Sequence, residues 1–231
     1  MPSQSKYESY PEPYESLYRI QRALAGYVSH LAACESNMAF TEYLLYEPIL
    51  RVLMTQKYRV KCEFSCESFL PRDGKQGDNK KIDFVCELST EHQKAHFALE
   101  VKWHRTDKKM LDVDADHEKL AGYLATFADA GAFLLVFGTH NQLKALKPLP
   151  IGFGPAKFKK KNGEIGQLDP IFAYFKRTQF GCKIYEMKRQ ASVENIQTCS
   201  TGTAEAVTAA PISLTGTIGT HCNTQAQQVK K

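Results

Sequence analysis

The chain has little of what would anchor, export or staple it. It has no C-x-x-C pair and no cysteine–histidine spacing that would enclose zinc. Its seven cysteines, Cys34, Cys62, Cys66, Cys86, Cys182, Cys199 and Cys222, are scattered and odd in number. Cys62 and Cys66 fall four apart on an expected strand and share a face without plausible partners. Free thiols in a reducing cytosol are the simplest account. The longest apolar run, Ala130 to Gly138, is far short of the ~20 residues needed to span a bilayer. The N-terminus is polar and Tyr-rich, with Pro11 and Pro13, and lacks the apolar core of a signal peptide. A cytoplasmic protein without a membrane partner is expected. There are no internal repeats, and no P-loop, helix-turn-helix or zinc finger is evident. From about Gln190 onward large apolar residues are scarce, and Thr, Ser, Ala, Gly, Gln and Asn take over. Such a composition cannot build a core, so residues 190–231 should be a disordered tail.

What remains can fold. The chain has 231 residues, of which 43% are hydrophobic, enough for a substantial core. A formal charge of +5 and a pI of about 8.7 suit a nucleic-acid partner without requiring one. Residues 1–38 read as an extension carrying one helix, Tyr14 to Cys34, with Leu17, Ile20, Leu24, Val28 and Leu31 at helical spacing. Residues 39–189 read as the main domain.

The chemistry concentrates in one hairpin. Lys80 to Leu88 (K-K-I-D-F-V-C-E-L) and Ala95 to Lys102 (A-H-F-A-L-E-V-K) both alternate as half-buried strands do. Ile82, Phe84, Cys86 and Leu88 share one face of the first strand; Phe97, Leu99 and Val101 share one face of the second. The polar stretch Ser89 to Lys94 turns the chain between them. An even loop centred on Glu91 and His92 puts Asp83 opposite Glu100, with Lys102 on the same face two residues on. A one-residue slip would separate the apolar sets, which favours this register.

Two readings compete for that face. One is a solvated charged surface. The other is a cation site. Directly opposed like charges destabilise a strand pair. At about 5 Å two carboxylates repel by roughly 3 kcal/mol at an effective dielectric of about 20. Val85 and Ala98 make the same face apolar enough to be covered. A covered pair of ionised carboxylates needs a cation.

Asp83, followed by Glu100-Val101-Lys102 at the end of the next strand, resembles the PD-(D/E)XK nuclease superfamily. Its core runs helix, three strands, helix, strand. Here Thr41 to Lys57 is helical in pattern, with Leu45, Ile49, Val52 and Leu53 spaced accordingly. Tyr58 to Glu67 alternates, the hairpin follows, and Asp114 to Ala128 is helical with Leu120, Leu124 and Phe127 on one side. Several Asp residues open that helix, where its dipole favours them. Ala132 to Phe137 is an apolar run expected of a strand covered on both faces. The resemblance spans roughly residues 40–140. It departs at Ile82, which stands where the motif's proline would be, and in a longer hairpin.

The resemblance implies an α/β fold with a restriction-endonuclease-like core. That core is a central mixed four-stranded sheet flanked by helices (αβββαβ), here with an extra N-terminal helix and the tail. It also implies residues 39–189 as the nuclease domain and a metal-dependent endodeoxyribonuclease of restriction, defence or mobile-element type. A catalytically inactive nucleic-acid-binding protein of the same fold is the alternative. Asp83 and Glu100 would be metal ligands, with the Val101 carbonyl assisting; Mg²⁺ is the implied cofactor, with Mn²⁺ as its substitute. Lys102 would orient water or stabilise the transition state. The family often adds an acid from the first helix. Glu42 shares a helical face with Leu45, Ile49 and Val52 and is preferred; Glu47 precedes Pro48 and reads as a surface residue. Asp116-His117-Glu118-Lys119-Leu120 matches a pattern some members carry, placing Asp116 and Lys119 second in rank. The plain alternative is an acidic helix start followed by a solvated lysine.

DNA is the implied partner, with RNA and a homodimer or partner protein left open. Arg105 could touch a phosphate, Trp103 could be core, and His104 reads as a surface histidine. The densest basic stretch, Lys157-Phe158-Lys159-Lys160-Lys161, lies in an expected Gly/Pro loop from Pro148 to Gly166. With Phe153 and Phe158 interleaved it could track a phosphate backbone, or it is a solvated loop. Loops 68–80 and 148–168 are the candidates for specificity. Cys182 to Lys188 reads as a late strand at the sheet edge, with Ile171 to Phe175 packing nearby.

Overall fold

The structure, a computed structural model, describes residues 10–34, 41–65, 81–91, 93–104, 111–175 and 178–189. Arg105, Cys66, the 68–80 loop and the expected tail from 190 onward lie outside the described residues.

Helix α1 (Tyr14–Ala33) forms where the spacing predicts it, and Leu17, Ile20, Leu24 and Val28 are fully buried. The helix expected from Thr41 onward is instead a 3-10 turn (Glu42–Leu45) leading into α2 (Tyr46–Thr55). Pro48 explains the break. Its ring would clash with the carbonyl four residues earlier, and its missing N–H costs nothing only in a first turn.

Three antiparallel strands follow: β1 (Arg59–Ser65), β2 (Lys81–Ser89) and β3 (Lys94–Trp103). Helix α3 (Asp114–Thr126) crosses over to β4 (Gly131–Thr139), which runs parallel to β3. A crossover helix is what a parallel neighbour requires. Thr139 and Gln142 then form a capping box for α4 (His140–Ala145).

The sheet is mixed and has seven strands, not four. The remaining strands are β5 (Phe153–Pro155), β8 (Ile171–Phe175) and β9 (Thr178–Met187). The path is β1-β2-β3-β4-β9-β5, with β8 also paired to β9. β9 is therefore interior, where an edge strand was expected, because β5 and β8 both pair with it. The expected basic loop is largely ordered. β6 (Lys157–Lys159) and β7 (Ile165–Gln167) form a separate two-stranded sheet. Its Phe158 is buried against Tyr10 and Tyr14, so this ring is core rather than a nucleobase platform.

Each sheet face carries its own core. Phe133, Leu135 and Phe137 of β4 face α1 and α2, together with Phe84, Cys86, Phe97 and Leu99. Ala132, Leu134 and Val136 face α3 and α4, together with Val85, Ala98, Leu120, Tyr123 and Leu143. β4 is buried along its length, as its apolar run predicts. His104, expected at the surface, is 3% exposed: its N–H donates to the Phe137 carbonyl at 2.7 Å and prolongs the β3–β4 ladder. Trp103 packs edge-on to Phe137.

The β8–β9 pair needs a glycine. A Cβ on Gly181 would lie 2.1 Å from the Ile171 carbonyl oxygen, a backbone atom that cannot rotate away. Gly181→Ala should therefore destabilise the fold by about 1–3 kcal/mol, the range for overpacking. Urea denaturation reads this directly; an unchanged midpoint would mean that β8 can shift freely.

Candidate functional site

The sheet changes character at Asp83. The β2–β3 pairing runs in the register the alternation predicts, through Val85↔Ala98 and Phe84↔Leu99, and then stops. Asp83 and Glu100 are the next residues, and there the strands part. The Asp83 Oδ2 fills the gap by accepting from the Val101 N–H at 2.7 Å. On the other side, β1 pairs Cys62↔Phe84 and Phe64↔Ile82, which brackets Glu63 against Asp83. Glu63 has φ of +50°, unusual for a residue with a Cβ.

The two strands exchange faces across this point. Val60 packs on the α1/α2 side and Phe64 on the α3 side, although they share parity. Phe84 and Ile82 divide the same way. The expectation that Ile82 joins Phe84 on one face is thus corrected, and the left-handed kink opposite Asp83 is the cause. The result leaves the Asp83 carboxylate at the seam between faces. There it also accepts a short hydrogen bond from the Tyr46 hydroxyl of α2. Tyr46 stacks at a tilt on Phe84, which fixes the phenol.

Glu100 and Lys102 point toward α3, which covers that face. Lys119 Nζ lies 2.8 Å from Glu100 Oε1 and 2.9 Å from Asp116 Oδ1, and donates to the Lys81 carbonyl at 3.1 Å. Lys102 Nζ lies 2.8 Å from Asp116 Oδ2. Glu100 and Asp116 are 2% and 4% exposed. Glu100 Oε1 is buried and is met by the Lys119 ammonium. Glu42 sits on the 3-10 turn and feels Lys102, Asp83 and Asp116.

Proton affinities record the crowding. Burial raises the Glu100 carboxyl well above its ordinary range, and neighbouring Asp83 adds to this while Lys119 opposes it. Asp83 is raised by burial, against the Tyr46 and Val101 hydrogen bonds. Glu42 is raised by burial too, with Lys102 opposing. Burial would also raise Asp116, but its ion pairs with Lys102 and Lys119 reverse the sign and hold it low. Tyr46 is raised by burial and by Asp83, so the phenol remains a donor. Four carboxyl groups thus share two ammonium groups, and three of the four resist ionisation. A divalent cation beside them would favour their ionised form.

The structure brings together Glu42, Asp83, Glu100, Lys102, Asp116 and Lys119, with the Val101 backbone beside them. Glu47 points away and pairs with Arg51 on the surface of α2. Lys157, Lys159 and Lys161 are exposed on or beside the β6–β7 hairpin, and Lys160 lies near Glu164. That hairpin adjoins β9, across β4 from the carboxylates. Tyr46 escaped the sequence reading. The available signal was its spacing of four from Glu42.

Among the described residues, no group of three or more His, Cys, Asp or Glu side chains is arranged to hold an ion by itself. Mg²⁺ does not demand one, since it commonly takes one or two carboxylates and completes its shell with water and substrate. The donors gathered here, carboxylate oxygens and a backbone carbonyl, are of the hard type such an ion takes. No described helix is long and apolar enough to cross a membrane. Comparison with models of protein families, with curated proteins and with solved structures gave no match.

Proposed function

We propose that this chain is a divalent-metal-dependent nuclease of the PD-(D/E)XK type, hydrolysing phosphodiester bonds in DNA as an endonuclease. The observation that carries this is the parting of β2 and β3 at two adjacent carboxylates, Asp83 half-buried and Glu100 buried, with Lys102 on the same face as Glu100. The order of α2, β1, β2, β3, α3 and β4 supports the restriction-endonuclease-like reading of the fold.

Asp83 and Glu100, with the Val101 carbonyl, would hold Mg²⁺, or Mn²⁺ in its place. When bound, the ion supplies charge neutralisation at the phosphate and acidifies water. The protein supplies the rest. Tyr46 and the Val101 N–H fix the Asp83 carboxylate. Lys102, 31% exposed at its side chain, is placed to orient the attacking water or meet charge developing on the phosphate. Asp116 holds Lys102 by an ion pair. Glu42, on the 3-10 turn before α2, feels the same ammonium and would hold a second metal or a water. Specificity falls to surrounding loops, to a second copy or to a partner protein. The cytoplasm is the proposed compartment.

Cleavage of supercoiled plasmid, single-stranded DNA and RNA with Mg²⁺, Mn²⁺ or EDTA tests this, with wild type beside Lys102→Ala. Metal-dependent nicking that falls by about 10²–10³ in the variant is expected. No cutting of any substrate, together with no Mn²⁺ binding by calorimetry, would sink the proposal. Binding of metal and DNA without cutting would replace it with the inactive nucleic-acid-binding reading.

A further inference from the structure

The two lysines of the cluster are not equivalent. Lys102 touches Asp116 and is 31% exposed at its side chain; Lys119 is 12% exposed and reaches three oxygens. One of these is Glu100 Oε1, which is buried. The other two, Asp116 Oδ1 and the Lys81 carbonyl, would hold Lys119 without Glu100. An ammonium 2.8 Å from a carboxylate oxygen occupies the side of that oxygen a metal ion would need. Mg²⁺ sits closer still, at about 2.0–2.1 Å, and two cations cannot share that side.

We infer that Lys119 is a built-in competitor for the divalent cation. It sits against Glu100 Oε1 in the metal-free chain and withdraws to Asp116 and the Lys81 carbonyl when the ion enters. This rests on the reading of Asp83 and Glu100 as metal ligands. Its consequence follows from mass action: if only a fraction of molecules has Glu100 free, apparent cation affinity is lowered by that fraction. Lys119 thereby sets the cation concentration at which the site fills.

Calorimetric titration of Mn²⁺ into wild type, Lys119→Met and Lys119→Arg tests it. Lys119→Met should bind about tenfold tighter. Lys119→Arg, which keeps the charge, should stay near wild type. Thermal unfolding in EDTA supplies a second reading. Metal-free Lys119→Met should be less stable than wild type, and Mn²⁺ should stabilise it more than it stabilises wild type. If the metal-free variant does not fold, refolding in Mn²⁺ should recover it, and failure to recover overturns the inference. So does a folded Lys119→Met that binds Mn²⁺ no tighter than wild type. Asp83→Asn separates the two levels. Asp83-dependent Mn²⁺ binding with no Lys119 effect removes this inference alone; no Mn²⁺ binding by wild type removes the nuclease reading with it.

Discussion

Asp83→Asn should abolish divalent-cation binding and reduce metal-dependent nicking by at least about 10³-fold, while leaving the fold in place. The separation is expected because the structural job of Asp83 and the chemical one proposed for it have different requirements. Its structural job is to accept hydrogen bonds where β2 and β3 part: Oδ2 from the Val101 N–H, Oδ1 from Tyr46. Asparagine keeps one carbonyl oxygen for Val101, and its amide can donate to the Tyr46 oxygen instead. The proposed job of metal ligand needs negative charge, and the amide has none. Loss of a single preorganised electrostatic group typically costs about 10²–10³ in rate, and loss of a metal ligand should exceed that. Asp83→Ala would confuse the issue. It strands a buried N–H and a phenol at about 1–3 kcal/mol each. Plasmid nicking, Mn²⁺ calorimetry and thermal unfolding on Asp83→Asn give the three readouts. An Asn variant that cuts like wild type would move the chemistry elsewhere.

Phe133→Ala should cost about 3–5 kcal/mol of stability, the largest single loss expected outside the site. Phe133 is 1% exposed on β4, which lies between β3 and β9. Its ring meets Phe97 of β3 edge-on at 5.8 Å between centroids and Tyr14 of α1 at 5.9 Å. Removing it takes out a buried ring and opens a cavity beneath α1. Rigid strands on either side limit how far the cavity can collapse, so the cost belongs at the upper end of the range. Against a total stability of about 5–15 kcal/mol, much of the reserve would go. Urea denaturation should show a lower midpoint with an unchanged slope. A loss under about 1 kcal/mol would mean that α1 settles into the space.

The hairpin register was legible because alternation and loop parity are local, and both pointed to one alignment. The apolar run of β4 announced a strand covered on both faces for the same reason. Pro48 announced a helix start that the broader apolar pattern obscured. Nothing local marks β9 as interior, because pairing partners from distant segments decide where a strand lies in a sheet. Phe158, between lysines, looked like part of a basic surface. Its burial depends on α1, more than 120 residues away in the chain.

The candidate site divides in the same way. By itself the sequence determined that Asp83, Glu100 and Lys102 gather on adjacent strands, since period-two geometry needs only counting. Tertiary structure alone decided what surrounds them. The kink at Glu63 turns Ile82 to the other face, α2 supplies Tyr46, and α3 places Asp116 and Lys119 over the carboxylates. These are long-range contacts, set by how two helices pack on opposite faces of one sheet. Alternation along a strand says which side a residue faces, but not what will cover it.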